Sequence, residues 1–132
     1  MSQADIALVK DIYAAFGRGD VAGITAALTA DVVWELNGRH RDHPMLGKRT
    51  GPAQAADFFR VLAESIEIKS FTPRDFHAAD GKVFVLGHYS YAGRRTGRPG
   101  ESRWLHIFTI RDGRVSAFLD FIDTAQLVAV DQ

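Results

Sequence analysis

Residues 104–123 read WLHIFTIRDGRVSAFLDFID. Two runs rich in β-branched and aromatic residues flank one polar break at Arg111–Arg114, the pattern of a β-hairpin. Most positions in both runs are apolar, so both faces of the hairpin need cover. That requirement constrains the fold more than any other stretch does: the hairpin must lie between other elements, or between an element and another chain. His106 and Asp120 sit inside the runs, where a polar side chain costs free energy unless a partner satisfies it.

Two turns fit the break. A two-residue Asp112-Gly113 turn pairs Arg111 with Arg114 and sends His106 and Asp120 to opposite faces. A three-residue loop with Gly113 left-handed in a bulge pairs Ile110 with Arg114 and opposes His106 to Phe118 and Trp104 to Asp120. His106 and Asp120 are then diagonal neighbours. The second register is expected here, because it gathers Trp104, His106, Phe108, Phe118, Asp120 and Ile122 on one face. The other face is then Leu105, Ile107, Thr109, Ala117, Leu119 and Phe121, wholly uncharged.

The rest of the chain supplies what could cover these faces. In residues 5–17 the apolar positions Ile6, Val9, Ile12, Tyr13 and Phe16 recur at helical spacing, and Gly17 and Gly19 end the helix. Asp20 can cap a second, shorter helix through Leu28. Residues 31–38, DVVWELNG, read as a strand ending at Asn37-Gly38. A long polar loop is expected over 39–52, and loops of that length are often functional. A third helix spans 52–65, with Pro52 in its first turn and Ala55, Phe58, Phe59 and Leu62 on one side. The period then changes to strands over 66–80 and 82–93, a hairpin tip GRRTGRPG, and the final hairpin. A short terminal helix over 123–130 is capped by Asp123. Helices first and an antiparallel meander after them make an α+β fold, one domain over residues 1–132, with helices packed on one side of a curved sheet of about five or six strands. The strand at 31–37 is expected beside the C-terminal part of the sheet.

Composition narrows the function. Lys+Arg 16 against Asp+Glu 16 gives a net charge of zero. No general attraction to nucleic acid or to an anionic membrane is indicated. No cysteine is present, which excludes disulfide and thiolate chemistry. No apolar run is long enough to span a bilayer and the N-terminal residues show no signal-peptide pattern, so a cytoplasmic location is the expectation. The segment HRDHP at 40–44 offers two His and an Asp but no fourth ligand nearby, so a metal centre is not expected there. It reads as the lip of a pocket. His77 and His88 read as structural, with His88 sharing the outward parity of Phe84 and Leu86. The three arginines of GRRTGRPG read as a solvated hairpin tip.

Three stretches together resemble the SnoaL-like and ketosteroid-isomerase-like members of the nuclear transport factor 2-like superfamily: AAFGRGDVAGITAALTADVVWELNG, GKRTGPAQAADFF, and WLHIFTIRDGRVSAFLDFIDTAQL. The resemblance covers nearly the whole chain. It implies a cone-shaped barrel, in which three N-terminal helices and a strongly curved mixed sheet enclose a mostly apolar pocket, and a homodimer through the outer sheet face. It places Glu35 where ketosteroid isomerases carry their carboxylate base and His106 where they carry a protonated aspartic acid. Their oxyanion tyrosine falls on Ile12, with Tyr13 about 100° away around the helix. Asp120 falls close to the acid/base aspartate of some SnoaL-type polyketide cyclases. The Arg and Asp that epoxide hydrolases of the superfamily carry two residues apart on the strand of Trp104 and His106 are missing.

The expected site is therefore a His106–Asp120 pair in an apolar pocket, with Glu35 on its wall. The carboxylate would fix the imidazole tautomer, Glu35 would take a proton from a carbon beside a carbonyl, and His106 would donate to the enolate oxygen. Tyr13, Phe16, Phe58, Trp104, Phe118 and Ile122 are the expected ligand-binding lining. The expected activity is that of a cofactor-free isomerase, cyclase or lyase acting on a small apolar carbonyl compound. The alternative is a non-catalytic binder of such a compound, or a dimeric accessory protein.

Overall fold

The computed structural model describes residues 2–132. Helix α1 (Ser2–Gly17) buries Val9, Ile12 and Ala15. It ends where Gly19 takes a φ of 69°. Asp20 caps α2 (Val21–Thr25), its Oδ1 accepting from the Gly23 N–H at 2.9 Å. This helix stops short of Leu28. The Val115 N–H binds the Ala27 carbonyl at 2.8 Å, and strand β1 (Leu28–Leu36) starts at once, so residues expected in the helix belong to the sheet instead.

Part of the stretch expected as a loop is also strand. β2 (Gly47–Thr50) pairs antiparallel with β1, Glu35 opposite Lys48 and Trp34 opposite Arg49. Its sequence, GKRT, carries no apolar signal because only Arg49 turns inward. Helix α3 (Gly51–Ser65) has Pro52 in its first turn and buries Ala55 and Phe58. Strand β3 (Ile66–Ala79) contains Pro73 beside a register shift. Proline is tolerated there because β3 is an edge strand. Strands β4 (Lys82–Gly93), β5 (Pro99–Arg111) and β6 (Arg114–Phe121) form the meander. Helix α4 (Thr124–Val130) closes the chain, capped by Asp123.

The sheet runs β2-β1-β6-β5-β4-β3, with β1 parallel to β6 and every other pair antiparallel. The early strand thus lies beside the last one, as its expected position required. The sheet is strongly curved but not closed, since β2 and β3 do not pair, so the expected barrel is an open cone. The core fills its concave side, between the sheet and α1 and α3. Among the described residues no helix is long and apolar enough to cross a membrane.

The final hairpin differs from the expected register. Asp112 and Gly113 have φ of 52° and 75° and form a two-residue turn that pairs Arg111 with Arg114. Two positive φ values suit the twist of the flanking strands. The bulge lies at Ser116 instead of Gly113. Ile110 pairs with Val115 but Thr109 pairs with Ala117, leaving Ser116 as the extra residue. Its hydroxyl donates to the Thr109 carbonyl at 3.3 Å. That extra residue returns His106 and Asp120 to one face, as direct cross-strand partners rather than diagonal neighbours.

Candidate active site

The concave face holds a cavity of about 70 Å³. All six residues expected as its lining are there: Tyr13 and Phe16 from α1, Phe58 from α3, Trp104 from β5, and Phe118 and Ile122 from the end of the chain. Met45, from the loop between β1 and β2, adds to the lining. Arg49 secures that loop: it is buried and donates to the carbonyls of Met45 at 3.0 Å and Pro44 at 2.6 Å, its guanidinium 5.0 Å above the Phe58 ring. The histidines of the same loop are held by the backbone. The His40 Nδ1 lies 3.1 Å from the Leu46 carbonyl, and the His43 Nδ1 accepts from the Met45 N–H at 3.1 Å. His77 is exposed, and His88 faces outward to Glu101 at 2.9 Å.

One polar chain crosses the cavity wall. The His106 Nε2 stands 3.2 Å from the Asp120 Oδ1, and the His106 Nδ1 stands 2.9 Å from the Tyr13 hydroxyl. All three groups line the cavity. The ring nitrogen facing a carboxylate carries the hydrogen, so Nδ1 is the acceptor and the Tyr13 O–H donates to it. The contact to Asp120 is short but off the hydrogen-bond line, and Oδ1 has no other partner among the described residues. A buried carboxylate oxygen that is so poorly satisfied is costly, and a hydrogen-bond donor brought by a ligand would satisfy it. Burial, and secondarily the Asp120 charge, push the Tyr13 phenol well above its ordinary range and hold it protonated. The phenol of Tyr89, also in the wall, is pushed up chiefly by burial.

Glu35 is not part of this group. On β1 it pairs with Leu119 and Lys48, and strand alternation turns it to the convex face while its neighbours Trp34 and Leu36 line the cavity. Tyr13 takes the place expected of it. Ile12 and Tyr13 both reach the cavity, although they point apart around the helix, because the cavity wraps the end of α1. The spacing of Ile6, Val9, Tyr13 and Phe16 already puts Tyr13 on the inward stripe of the helix. That spacing places Tyr13 in the lining but carries no mark of its hydrogen bond to His106.

Comparison with known proteins agrees with this architecture. The model of the SnoaL-like domain family matches residues 9–118. An NTF2-like protein from Burkholderia xenovorans LB400 is 30% identical, with 100% of this chain and 98% of that one covered and a TM-score of 0.89. An NTF2-like protein of unknown function from Burkholderia pseudomallei K96243 is 26% identical, with 98% of each chain covered and a TM-score of 0.90. TerC, co-crystallised with polyporic acid, shares the fold at 23% identity, covering 96% of this chain and 97% of that one with a TM-score of 0.87. None of the curated proteins matches the chain.

Proposed function

The chain belongs to the SnoaL-like family, and from that premise we propose that it is a cofactor-free acid/base enzyme of the isomerase, cyclase or lyase type, acting on a small apolar carbonyl compound. The observation that carries this reading is the Tyr13–His106–Asp120 chain, three linked ionisable groups converging in a cavity lined mostly by apolar and aromatic side chains. A binding protein needs one polar anchor; three linked groups supply a route for protons.

The geometry supports the following roles. Asp120, with its unsatisfied Oδ1, is the base that removes a proton from the carbon beside the carbonyl. The electron pair moves onto the carbonyl oxygen as charge develops there. Tyr13, held at the His106 Nδ1, turns its O–H to the substrate oxygen and stabilises the charge there, while the His106 Nε2–H faces Asp120. Return of the proton to a different carbon gives an isomer. Attack of the enolate carbon on a second carbonyl closes a ring, and expulsion of a group from the next carbon gives a lyase product. The aromatic walls favour a flat apolar substrate.

The same reading includes a second copy of the chain over the convex face. There Leu86 and Phe121 are 46% and 38% exposed, in register with Leu105 across the three strands.

The test uses indanone as a probe, with deuterium exchange at its α-carbon in heavy water as the signal for enolisation. Wild-type protein should catalyse exchange, and His106→Ala and Asp120→Asn should lose it while remaining folded. Binding of indanone without exchange by the wild type would instead support the non-catalytic alternative.

A further inference from the structure

Gly87 lies in the middle of β4, directly opposite Trp104 of β5. Its φ is not in the left-handed region, so backbone conformation does not call for glycine here. Space does. A Cβ at this position would stand 2.2 Å from Cζ2, 2.4 Å from Cη2 and 2.6 Å from Cε2 of Trp104. The indole therefore fills the volume that any other residue would need for its first side-chain atom. Lying flat across β4, it reaches Phe71 of β3, with ring centroids 4.9 Å apart and planes 16° from parallel.

From the same position the indole stacks on His106, two residues along its own strand, with centroids 3.9 Å apart and planes again 16° from parallel. Two other contacts fix the imidazole at its nitrogens, and one of them, to Asp120, is poorly aligned. The stacked indole opposes rotation of the ring about its last side-chain bond.

We propose that Trp104 is the positioning residue of the site, holding the His106 ring in the plane that directs Nδ1 to Tyr13 and Nε2 to Asp120, and that Gly87 is glycine in order to seat it. This inference rests on the acid/base reading of His106, yet its test does not depend on turnover. The nitrogen-15 resonances of the His106 ring report the tautomer directly. In the wild type near neutral pH they should lie far apart, one as a bare nitrogen and one as an N–H. Trp104→Phe keeps a ring in the slot and should keep them apart. Trp104→Leu, and Gly87→Ala by pushing the indole away, should draw the two resonances together as the tautomers mix. Gly87→Ala should also lower stability in the presence of Trp104 and have little effect in a Trp104→Leu background, the coupling expected of one clash. Resonances that stay apart in Trp104→Leu, or in Gly87→Ala should the leucine variant not fold, overturn the proposal. Failure of the indanone exchange with these resonances behaving as expected would overturn the acid/base reading and leave the positioning intact.

Discussion

On the concave face of the β5–β6 hairpin, Trp104, His106, Phe108, Phe118 and Asp120 are all buried. On the convex face of the same two strands, Leu105, Ile107, Ala117 and Leu119 are half-buried and Phe121 is exposed. The apolar content of the two faces is alike; the chemistry is not. The covered face carries every ionisable group of the hairpin's interior and the uncovered face carries none. Within this hairpin the buried pair lies where the helices complete a cavity around it and Tyr13 can reach it. From Leu105 to Phe121 the convex face is uncharged and open, which suits it to the proposed contact with a second copy.

Charge placed on the two faces should break the comparison unequally. Phe118→Glu puts an unpaired carboxylate beside the stacked Trp34 ring, 4.0 Å away between centroids, and removes a buried aromatic ring. The loss should be about 4 kcal/mol or more, enough to abolish a cooperative urea transition in a domain of marginal stability. A smaller loss, about 3 kcal/mol, is expected for His106→Leu, which strands the Asp120 carboxylate. Adding Asp120→Leu to that variant should recover most of the loss, because no buried charge then remains. Urea unfolding of the single and double variants measures both values.

Phe121→Glu, on the convex face, should change the stability of the isolated chain by no more than about 0.5 kcal/mol. Sedimentation at micromolar concentration should nevertheless show the wild type as a dimer and this variant as a monomer. A monomeric wild type would leave the convex face without its proposed cover.

The smallest effect is at alkaline pH. The Tyr13 phenol is pushed up, chiefly by burial, so above the ordinary tyrosine value of about 10 the unfolded chain loses its proton first. Stability should therefore hold below that pH and fall as pH rises past it. Tyr13→Phe should fall less steeply, with Tyr89 sustaining the remaining slope.

Much of this was legible in the sequence, for reasons that can be traced to single residues. Helical spacing in α1, the Asp20 cap, Pro52 and the alternation of β4 all act locally, and each element formed where its pattern lies. The pairing of His106 with Asp120 was legible for a less direct reason: gathering the polar residues on one face was a sound criterion, although the turn inferred from it was not the turn that forms. The face assignment is set by the extra residue at Ser116, and nothing in RVSAFLDF marks which residue will be left unpaired. β2 was illegible because an edge strand with one inward side chain has no hydrophobic period. Glu35 was misplaced because correspondence to another family member gives a position along a strand, whereas one residue of strand decides the face. Gly87 left no mark in the sequence at all; its reason is a ring from a strand 17 residues away in sequence.

Acid/base chemistry confined to the concave face would set Asp120 apart from Glu35, and a comparison of the two carboxylates tests it. Indanone α-carbon exchange in heavy water should fall by about 100-fold or more in Asp120→Asn. In Glu35→Gln it should change by less than about twofold, as expected of a side chain on the opposite face of the sheet. Exchange that survives Asp120→Asn and disappears in Glu35→Gln would contradict the account.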